Sequence, residues 1–150
     1  RGIPVKKVTE SPCHRSHHGT FPAIFTICYM AEHNDFGKKG EVIASEYLKS
    51  KGYKILDTNW RWGKNELDLV ARDGKTLVIV EVKTRHSNAL GEPETAVNRE
   101  KQRNLIRAAN AYVHFRKITD EVRFDIISIL ILEDREQIHH IPDAFYPLVR

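Results

Sequence analysis

Cysteine is scarce in this chain of 150 residues, which contains only Cys13 and Cys28. Neither has a second cysteine at the short spacing that many zinc sites and redox motifs use. Small secreted domains that rely on disulfides contain several cysteine pairs, so that class of protein is excluded. The cysteine content therefore predicts a protein of a reducing compartment, which we take to be the cytoplasm.

The sequence also lacks a long hydrophobic run. Residues 21–31 form an apolar stretch behind a basic segment, an arrangement that resembles the hydrophobic region of a signal peptide. The stretch is shorter than the roughly 20 apolar residues that span a bilayer. No clear small-x-small cleavage pattern precedes Glu32, so we expect no membrane association.

Methionine occurs once, at Met30, and the segment before it has no clear helical or strand periodicity. We interpret residues 1–29 as a non-native or disordered leader and residues 30–150 as a single domain. A metal site at residues 13–18, which read CHRSHH, is an alternative function for the leader. That alternative is weak because no second ligand pair follows at zinc-finger spacing.

The excess of basic residues is small once the leader is set aside. The whole chain has 24 basic and 20 acidic residues, a net charge of +4. The leader holds four of the basic residues and one of the acidic ones, which leaves 20 and 19 in residues 30–150. Whole-chain basicity is therefore weak support for any partner, and a nucleic-acid partner has to be inferred from particular residues.

Hydrophobic periodicity predicts an α/β domain with two helices and five strands. The predicted helices cover residues 38–51 and 94–115, and the apolar stripe of the second contains Val97, Leu105, Ala108, Tyr112 and Phe115. The predicted strands cover residues 53–60, 66–72, 77–84, 122–132 and 137–141, with a loop at residues 86–93. A helix that crosses between the third and fourth strands indicates a mixed sheet flanked by helices.

Two acidic residues are predicted to face each other in the hairpin of the second and third strands. If Arg72 pairs with Leu77 across the turn, counting back along both strands places Asp68 opposite Glu81. Opposed side chains lie about 4.5–5.5 Å apart at Cβ, so two carboxylates there repel unless a proton or a cation intervenes. Lys83 follows Glu81 by two residues and leaves the same face of the strand.

This trio suits hydrolysis of a phosphodiester bond. Carboxylate oxygens hold Mg²⁺ or Mn²⁺, and the bound ion activates a water and neutralises charge in the transition state. Lys83 could orient or help to deprotonate that water, or hold the scissile phosphate. An acid-x-lysine triplet alone is more often a cross-strand ion pair. Glu81, however, interrupts an apolar run in a strand that is predicted to be interior.

Two more residues are candidates for the same patch. Glu41 borders the buried face of the first helix, although the helix dipole alone also favours an acid near a helix N-terminus. Lys101 lies between Val97 and Leu105 in the apolar stripe of the second helix, so its ammonium could be directed at the acids or at a phosphate. The alternative is a lysine whose aliphatic part packs while its ammonium reaches solvent.

Basic side chains at loop ends and along the second helix are candidate contacts to nucleic acid. Those selected are Arg61, Lys64, Arg85, Arg99 and Arg103. Trp60 and Trp62 could stack on bases. For the helix positions an ordinary solvated face is an equally good explanation, because acidic residues are interspersed with the basic ones.

The chain after Met30 contains a series of short motifs in a fixed order. They are GKKGE at 37–41, GY at 52–53, NWR at 59–61, ELDLVA at 66–71, VEVKTR at 80–85, AV at 96–97 with Lys101, and RFDI at 123–126. Together they resemble the YraN family of small bacterial proteins over roughly residues 34–147, and the run VEVKTR in this order of elements is quite specific. One position departs from the family pattern, because Asn65 stands where the family usually has glycine.

The resemblance implies a restriction-endonuclease-like fold with an αβββαβ core, related to Holliday-junction resolvases. It implies that Asp68 and Glu81 are metal ligands, Lys83 the catalytic lysine, Glu41 an accessory metal ligand from the first helix and Lys101 a polar residue of the second. The implied cofactor is Mg²⁺ or Mn²⁺. The implied partner is DNA, and a homodimer would suit symmetric cleavage, although nothing in the sequence requires one.

We therefore expect a Mg²⁺-dependent endonuclease that hydrolyses DNA phosphodiester bonds, with branched or structured DNA as a candidate substrate. Two alternatives stay open: a non-catalytic nucleic-acid-binding module of the same fold, and a structural or adaptor domain. The presence of both acids and the lysine favours the nuclease, because a degenerate relative would more often have lost one of them.

Overall fold

The computed structural model describes residues 23–86 and 97–147, and it describes side chains from Asp35 onward within those ranges. Residues 1–22 of the leader and the predicted loop after His86 lie outside the described residues. Among the helices that are described, none is both long enough and apolar enough to cross a membrane.

The described chain contains two helices and five strands in the predicted order. Helix α1 spans Ala23–Ser50 and helix α2 spans Arg99–Arg116. The strands are β1 at Lys54–Trp62, β2 at Asn65–Asp73, β3 at Thr76–His86, β4 at Glu121–Ile131 and β5 at Glu136–Ile141. Each strand lies within two residues of its predicted position at both ends.

The five strands form one mixed sheet in the order β1-β2-β3-β4-β5. Neighbouring strands pair antiparallel, except that β3 and β4 pair parallel. A parallel pair requires a crossover connection, and α2 lies in that connection. The predicted mixed α/β architecture with flanking helices is therefore confirmed.

The sheet is buried on both faces, with one helix against each. The face toward α1, called the α1 face, contains the buried residues Ala44, Leu48, Leu69, Ala71, Val78, Val80, Ile127 and Ile129. The face toward α2, called the α2 face, includes Leu67, Val70, Leu77, Ile79, Leu105, Ala108, Tyr112 and Ile126. Successive residues of β3 alternate between the two faces, which explains why this strand is apolar along its first half.

Both helices begin at residues other than those predicted. Helix α1 begins at Ala23 rather than residue 38, so residues 23–29 of the proposed leader are helical. Helix α2 begins at Arg99 rather than residue 94, because Asn98 has an extended backbone and its side chain caps the first turn. Phe115 was predicted to join the buried stripe, which is wrong, since it is 68% exposed.

The regular alternation of side chains between the two faces of the sheet is interrupted in β2 at Asp68. Leu67 and Leu69 are two residues apart yet lie on the α2 face and the α1 face respectively, whereas a regular strand would place both on one face. In the neighbouring strand, Asn59 lies between the residues that pair with Leu67 and Leu69, and it has a left-handed backbone with φ of 53°. Asparagine tolerates this conformation better than most residues. The irregularity therefore occurs in both strands at the level of Asp68.

Candidate functional site

The hairpin of β2 and β3 has the register predicted from the sequence. Arg72 pairs with Leu77, and regular pairing stops one step before Asp68 would pair with Glu81. Instead, Asp68 Oδ2 accepts a hydrogen bond of 2.8 Å from the main-chain N–H of Val82. The carboxylate of Asp68 thus takes a main-chain donor of β3 as its partner and lies beside Glu81.

Glu81 is a buried carboxylate with only one paired oxygen. The residue is 8% exposed, and Lys101 Nζ lies 3.1 Å from its Oε1. Its Oε2 atom is buried and has no hydrogen-bond partner among the described residues. Since a buried carboxylate oxygen without a partner is costly, this atom is suited to receive a positively charged ligand.

The Asp68 carboxyl does not ionise easily in this environment. Its pKa is raised from 3.8 to about 7. Burial is the largest cause and the charge of Glu81 is the second, while the Val82 N–H and the Lys101 ammonium lower the pKa without compensating. Near neutral pH, Asp68 therefore holds a proton in a substantial fraction of molecules unless a cation takes the proton's place.

Lys101 reaches the acids from the first turn of α2. Its main-chain N–H donates a 2.8 Å hydrogen bond to Asn98 Oδ1, which fixes this turn. Burial disfavours the charged form of Lys101, but the charges of Glu81 and Asp68 outweigh burial, so its pKa is raised. The structure therefore brings the Lys101 ammonium to Glu81, while a role in catalysis stays a prediction.

Lys83 lies on β3 two residues after Glu81 and is in register with Ser128 of β4. Residues two apart on a regular strand share a face, so Lys83 lies on the same face as Glu81. The residue is half-buried. The structure thus keeps Lys83 next to the acid pair, and its assignment as the catalytic lysine stays a prediction.

Glu41 approaches the acid pair from helix α1. Its Oε2 accepts a 2.7 Å hydrogen bond from Asn59 Nδ2. The pKa of Glu41 is raised, chiefly by burial and also by the charges of Asp68 and Glu66, although the Asn59 hydrogen bond acts in the opposite direction. Glu41 therefore lies within electrostatic reach of Asp68, with Asn59 as its hydrogen-bond partner.

Gly40 permits the close approach of α1 to β3. A Cβ atom at this position would lie 1.8 Å from Thr84 Oγ1 and 2.9 Å from Thr84 Cβ. Such distances are far below van der Waals contact, so only glycine fits here without a shift of the helix or the strand. The contact is one residue after Lys83, and it positions Glu41, the next residue of α1.

Two carboxylates, and not three, converge at this point. In the described ranges 23–86 and 97–147, no group of three His, Cys, Asp or Glu side chains is placed to hold a metal ion. Mg²⁺ commonly uses one or two carboxylates and keeps several waters, so Asp68 and Glu81 fit such an ion. Glu41 as a third ligand stays a prediction.

Three of the predicted nucleic-acid contacts lie on strands or turns of the sheet. Arg61 of β1 donates to both carboxylate oxygens of Glu66 at 3.2 Å. Lys64 is exposed in the turn between β1 and β2, and Arg85 is half-buried near the end of β3. The structure therefore places these cations on the same sheet as the acid pair, with Arg61 paired to Glu66.

The other two predicted contacts lie on the outer surface of α2. Arg99 and Arg103 are exposed, and at about 100° per residue they lie roughly 160° around the helix from Lys101. They border a groove of about 440 Å³ whose lining residues are Arg99, Gln102, Arg103, Ile106, Arg107, Tyr146 and Pro147. This groove is separate from the acid pair, so Arg99 and Arg103 do not belong to one continuous surface with Glu81.

The two tryptophans have different environments. Trp60 packs edge-on against Tyr112 of α2, with ring centroids 5.1 Å apart. It lies against the α2-face core, so the expectation that it stacks on bases is not supported. Trp62 is 55% exposed and remains available for such a contact.

Glu66 is a residue near the site that the sequence reasoning missed. The charge of Glu66 contributes to the raised pKa values of both Glu41 and Lys101. Glu66 therefore lies near the residue that α1 contributes to the site and near the residue that α2 contributes. The available signal was its position two residues before Asp68 in a strand. The ion pair with Arg61 reduces the charge that it presents.

Asp125 is a second buried acid that the sequence reasoning missed, and it lies on the α1 face. Arg123 donates to both of its oxygens at 2.9 and 3.0 Å, His140 Nε2 lies 2.9 Å from Oδ2, and the N–H of Asp143 donates at 3.0 Å. Burial alone would raise the pKa of Asp125, but these partners outweigh burial and lower it. The signal was an acid inside the apolar run of β4.

Residues 40–129, which contain every candidate residue of the acid site, match the family described as "Uncharacterised protein family UPF0102". A UPF0102 protein of Christiangramia forsetii is 46% identical over 117 residues, which make up 78% of this chain and 98% of the relative. A UPF0102 protein of Bacteroides thetaiotaomicron is 48% identical over 118 residues, or 79% of this chain and 98% of the relative. These matches establish that the chain belongs to the UPF0102 family.

Proposed function

We propose that this protein is a divalent-cation-dependent nuclease that hydrolyses DNA phosphodiester bonds. The observation that carries the proposal is the acid pair, in which Glu81 Oε2 is buried without a partner among the described residues and the pKa of Asp68 is raised to about 7. This arrangement costs stability in the metal-free protein. A divalent cation between the two carboxylates would relieve that cost.

Each residue of the site has a distinct proposed role. Asp68 and Glu81 would hold Mg²⁺ or Mn²⁺, which when bound supplies Lewis acidity at the phosphate and lowers the pKa of a water. Lys83, on the same face as Glu81, would orient the attacking water or hold the scissile phosphate. Lys101 balances the charge of Glu81, with which it forms an ion pair of 3.1 Å, and would contact the substrate phosphate. Glu41 is an accessory acid near Asp68.

The order of elements supports this proposal. The run α1-β1-β2-β3-α2-β4 is the αβββαβ order expected of the restriction-endonuclease-like fold. Asp68 on β2 and Glu81 on β3 occupy the positions that the YraN resemblance assigns to the metal ligands. The names of the relatives state no activity, so the proposal depends on the site itself.

Metal binding and cleavage are best tested in separate experiments. Calorimetric titration with MgCl₂ and with MnCl₂ is expected to show binding to the wild type and little binding to Asp68→Asn. Cleavage of linear, flapped and four-way DNA is expected for the wild type and not for Asp68→Asn. Lys83→Ala should bind metal and fail to cleave. Glu46→Gln and Lys49→Ala, which alter an exposed ion pair on α1, are the matched controls and should behave as the wild type.

The second candidate function is a nucleic-acid-binding module without turnover. One observation favours it: within the part of the chain that the structure describes, two carboxylates and not three converge, and one of them is already paired with Lys101. Under this alternative, the wild type would bind DNA but would neither bind Mg²⁺ or Mn²⁺ in calorimetry nor cleave any substrate. That combination of results would replace the nuclease proposal with the binding module.

A further inference from the structure

Trp62 is a large exposed aromatic side chain at the end of a β-hairpin. It is the last residue of β1, it is in register with Asn65, and it precedes the turn residues Gly63 and Lys64. Gly63 has φ of 58°, which allows the tight turn. The side chain is 55% exposed, although burial of an indole ring is strongly favourable. The ring is therefore presented to solvent by regular, paired backbone.

The location of Trp62 connects it to the acid pair. Trp60 and Leu67 are paired and contribute to the α2-face core, so Trp62, two residues beyond Trp60, is on that same face. Glu81 is also on the α2 face, two residues after Ile79. The strand partner of Trp62 is three residues before Asp68, which is about 10 Å along β2.

Two basic residues lie close to Trp62 on the same hairpin. Lys64 is exposed in the turn next to Trp62. Arg61 precedes Trp62 and is 73% exposed, with part of its charge balanced by Glu66. An exposed aromatic ring with cationic side chains on the same hairpin is a combination that binds single-stranded nucleic acid, since the bases stack on the ring while the cations contact the phosphates.

Exposure alone does not identify a binding residue, because folded proteins expose many apolar atoms. Phe115 is 68% exposed and Tyr146 is 66% exposed, which makes them comparable in exposure to Trp62. Neither is on the β1–β2 hairpin: Phe115 is near the end of α2 and Tyr146 follows β5. The position of Trp62 relative to the acid pair is therefore what distinguishes it, and Phe115 is a suitable control.

We propose that Trp62 stacks on an unpaired base of the DNA strand, about three stacked nucleotides (3.4 Å each) from the phosphate at the acid pair. The favoured substrate class is then DNA with single-stranded bases next to the cut, because duplex bases stack on one another and do not offer a free face. This inference takes the position of the cut from the proposed nuclease function. The stacking itself is tested by binding without cleavage.

The two tryptophans make the test direct, because they are the only ones in the chain. In a Trp60→Phe variant, Trp62 is the sole tryptophan and its fluorescence reports its own environment. A 12-nucleotide single strand, a blunt duplex and a duplex with a single-stranded flap are titrated in EDTA, which prevents cleavage. We expect saturable quenching by the single strand and the flapped duplex, and little by the blunt duplex.

Affinity measurements in the wild-type background make the test independent of the Trp60→Phe variant. Fluorescence anisotropy of a labelled flapped duplex is expected to show roughly tenfold weaker binding by Trp62→Ala. Trp62→Phe keeps an aromatic ring and should recover most of the affinity. Phe115→Ala removes an aromatic ring of similar exposure and should bind as the wild type.

Each outcome has a defined meaning. The proposal is overturned if Trp62→Ala and the wild type bind the flapped duplex with equal affinity. It is also overturned if the Trp60→Phe variant binds DNA saturably without quenching of Trp62 fluorescence, or if the wild type binds none of the probes. The cleavage rates of flapped and blunt duplexes with Mn²⁺ separate the two proposals. If the wild type cleaves DNA and Trp62→Ala has the same flapped-to-blunt ratio of cleavage rates as the wild type, the stacking inference fails while the nuclease function stands. If binding depends on Trp62 and nothing is cleaved, the nuclease function fails while the stacking inference stands.

Discussion

Replacement of Asp68 by asparagine should stabilise the metal-free protein at alkaline pH. The wild-type carboxyl is buried beside Glu81, and its pKa is raised from 3.8 to about 7. Asparagine is nearly the same size, and its Oδ1 atom can still accept the hydrogen bond that Val82 N–H donates to Asp68. The substitution therefore removes a charge and keeps the main contact.

The magnitude follows from proton linkage. Between pH values near 3.8 and 7 the unfolded chain has released the Asp68 proton while the folded protein still holds it, so the wild type loses stability as pH rises through this window. A shift of about 3 pH units corresponds to about 4 kcal/mol at most. Water entry and rearrangement of the site would reduce this, so we expect Asp68→Asn to gain about 1–3 kcal/mol at about pH 8.

The assay is urea unfolding of both proteins in EDTA from about pH 4 to pH 8.5. The free energy of unfolding of Asp68→Asn minus that of the wild type should be small near pH 4. This difference should grow as the pH rises and level off above about pH 7. Glu46→Gln, which removes an exposed acid of α1, is the control and should follow the wild type. Addition of Mg²⁺ at ten times its dissociation constant should then stabilise the wild type by about 1.4 kcal/mol and the Asp68→Asn variant much less.

Two results would refute this reasoning. If Asp68→Asn were less stable than the wild type at about pH 8 without metal, Asp68 would be a stabilising charge and not half of a repelling pair. If the two proteins had parallel pH dependence, the folded-state pKa of Asp68 would be close to its value in the unfolded chain. Either result would remove the electrostatic support for a cation site.

Three further predictions concern the surroundings of Asp68. Glu81→Gln should lower the pKa of Asp68 below about 7 but not to 3.8, since burial remains its largest cause, and carboxyl NMR titration measures this. Lys101→Met should destabilise the metal-free protein by about 1–2 kcal/mol in urea unfolding, because it leaves Glu81 buried and unpaired, and equal stability would contradict the ion pair. Gly40→Ala should cost about 1–3 kcal/mol through its clash with Thr84, and Thr84→Gly in the same chain should recover part of that loss.

Local sequence signals predicted the sheet well. The Asp-Gly turn after Arg72 fixed the pairing of Arg72 with Leu77, and the apolar run of β3 correctly indicated an interior strand. Helix boundaries were less predictable. Asn98 caps α2 because its backbone is extended and its side chain accepts a hydrogen bond from the Lys101 N–H, and hydrophobic periodicity alone does not identify that residue.

The acid pair was predictable because it depends on one short hairpin, whereas its surroundings depend on distant parts of the chain. The contact of Lys101 with Glu81 requires α2 to pack on β3, and the periodicity around Lys101 was equally consistent with a solvent-facing ammonium. Trp60 and Trp62 are two positions apart, and the sequence treats them alike. The difference between them, a packed ring at Trp60 and an exposed ring at Trp62, depends on the contact of Trp60 with Tyr112 of α2. The left-handed backbone of Asn59 could not be predicted from the local sequence, because asparagine also occurs with an ordinary strand backbone.

The two buried acids of the sheet give a further argument about function. Asp125 on the α1 face has donors for both of its oxygens, from Arg123, the Asp143 main chain and His140, and its pKa is lowered. Glu81 on the α2 face is nearly as buried but has one oxygen without a partner in the described chain. The same sheet can therefore satisfy a buried carboxylate completely where the carboxylate serves stability. Because an unsatisfied one is costly, its presence beside a second acid is better explained by a ligand that completes it than by a contribution to folding.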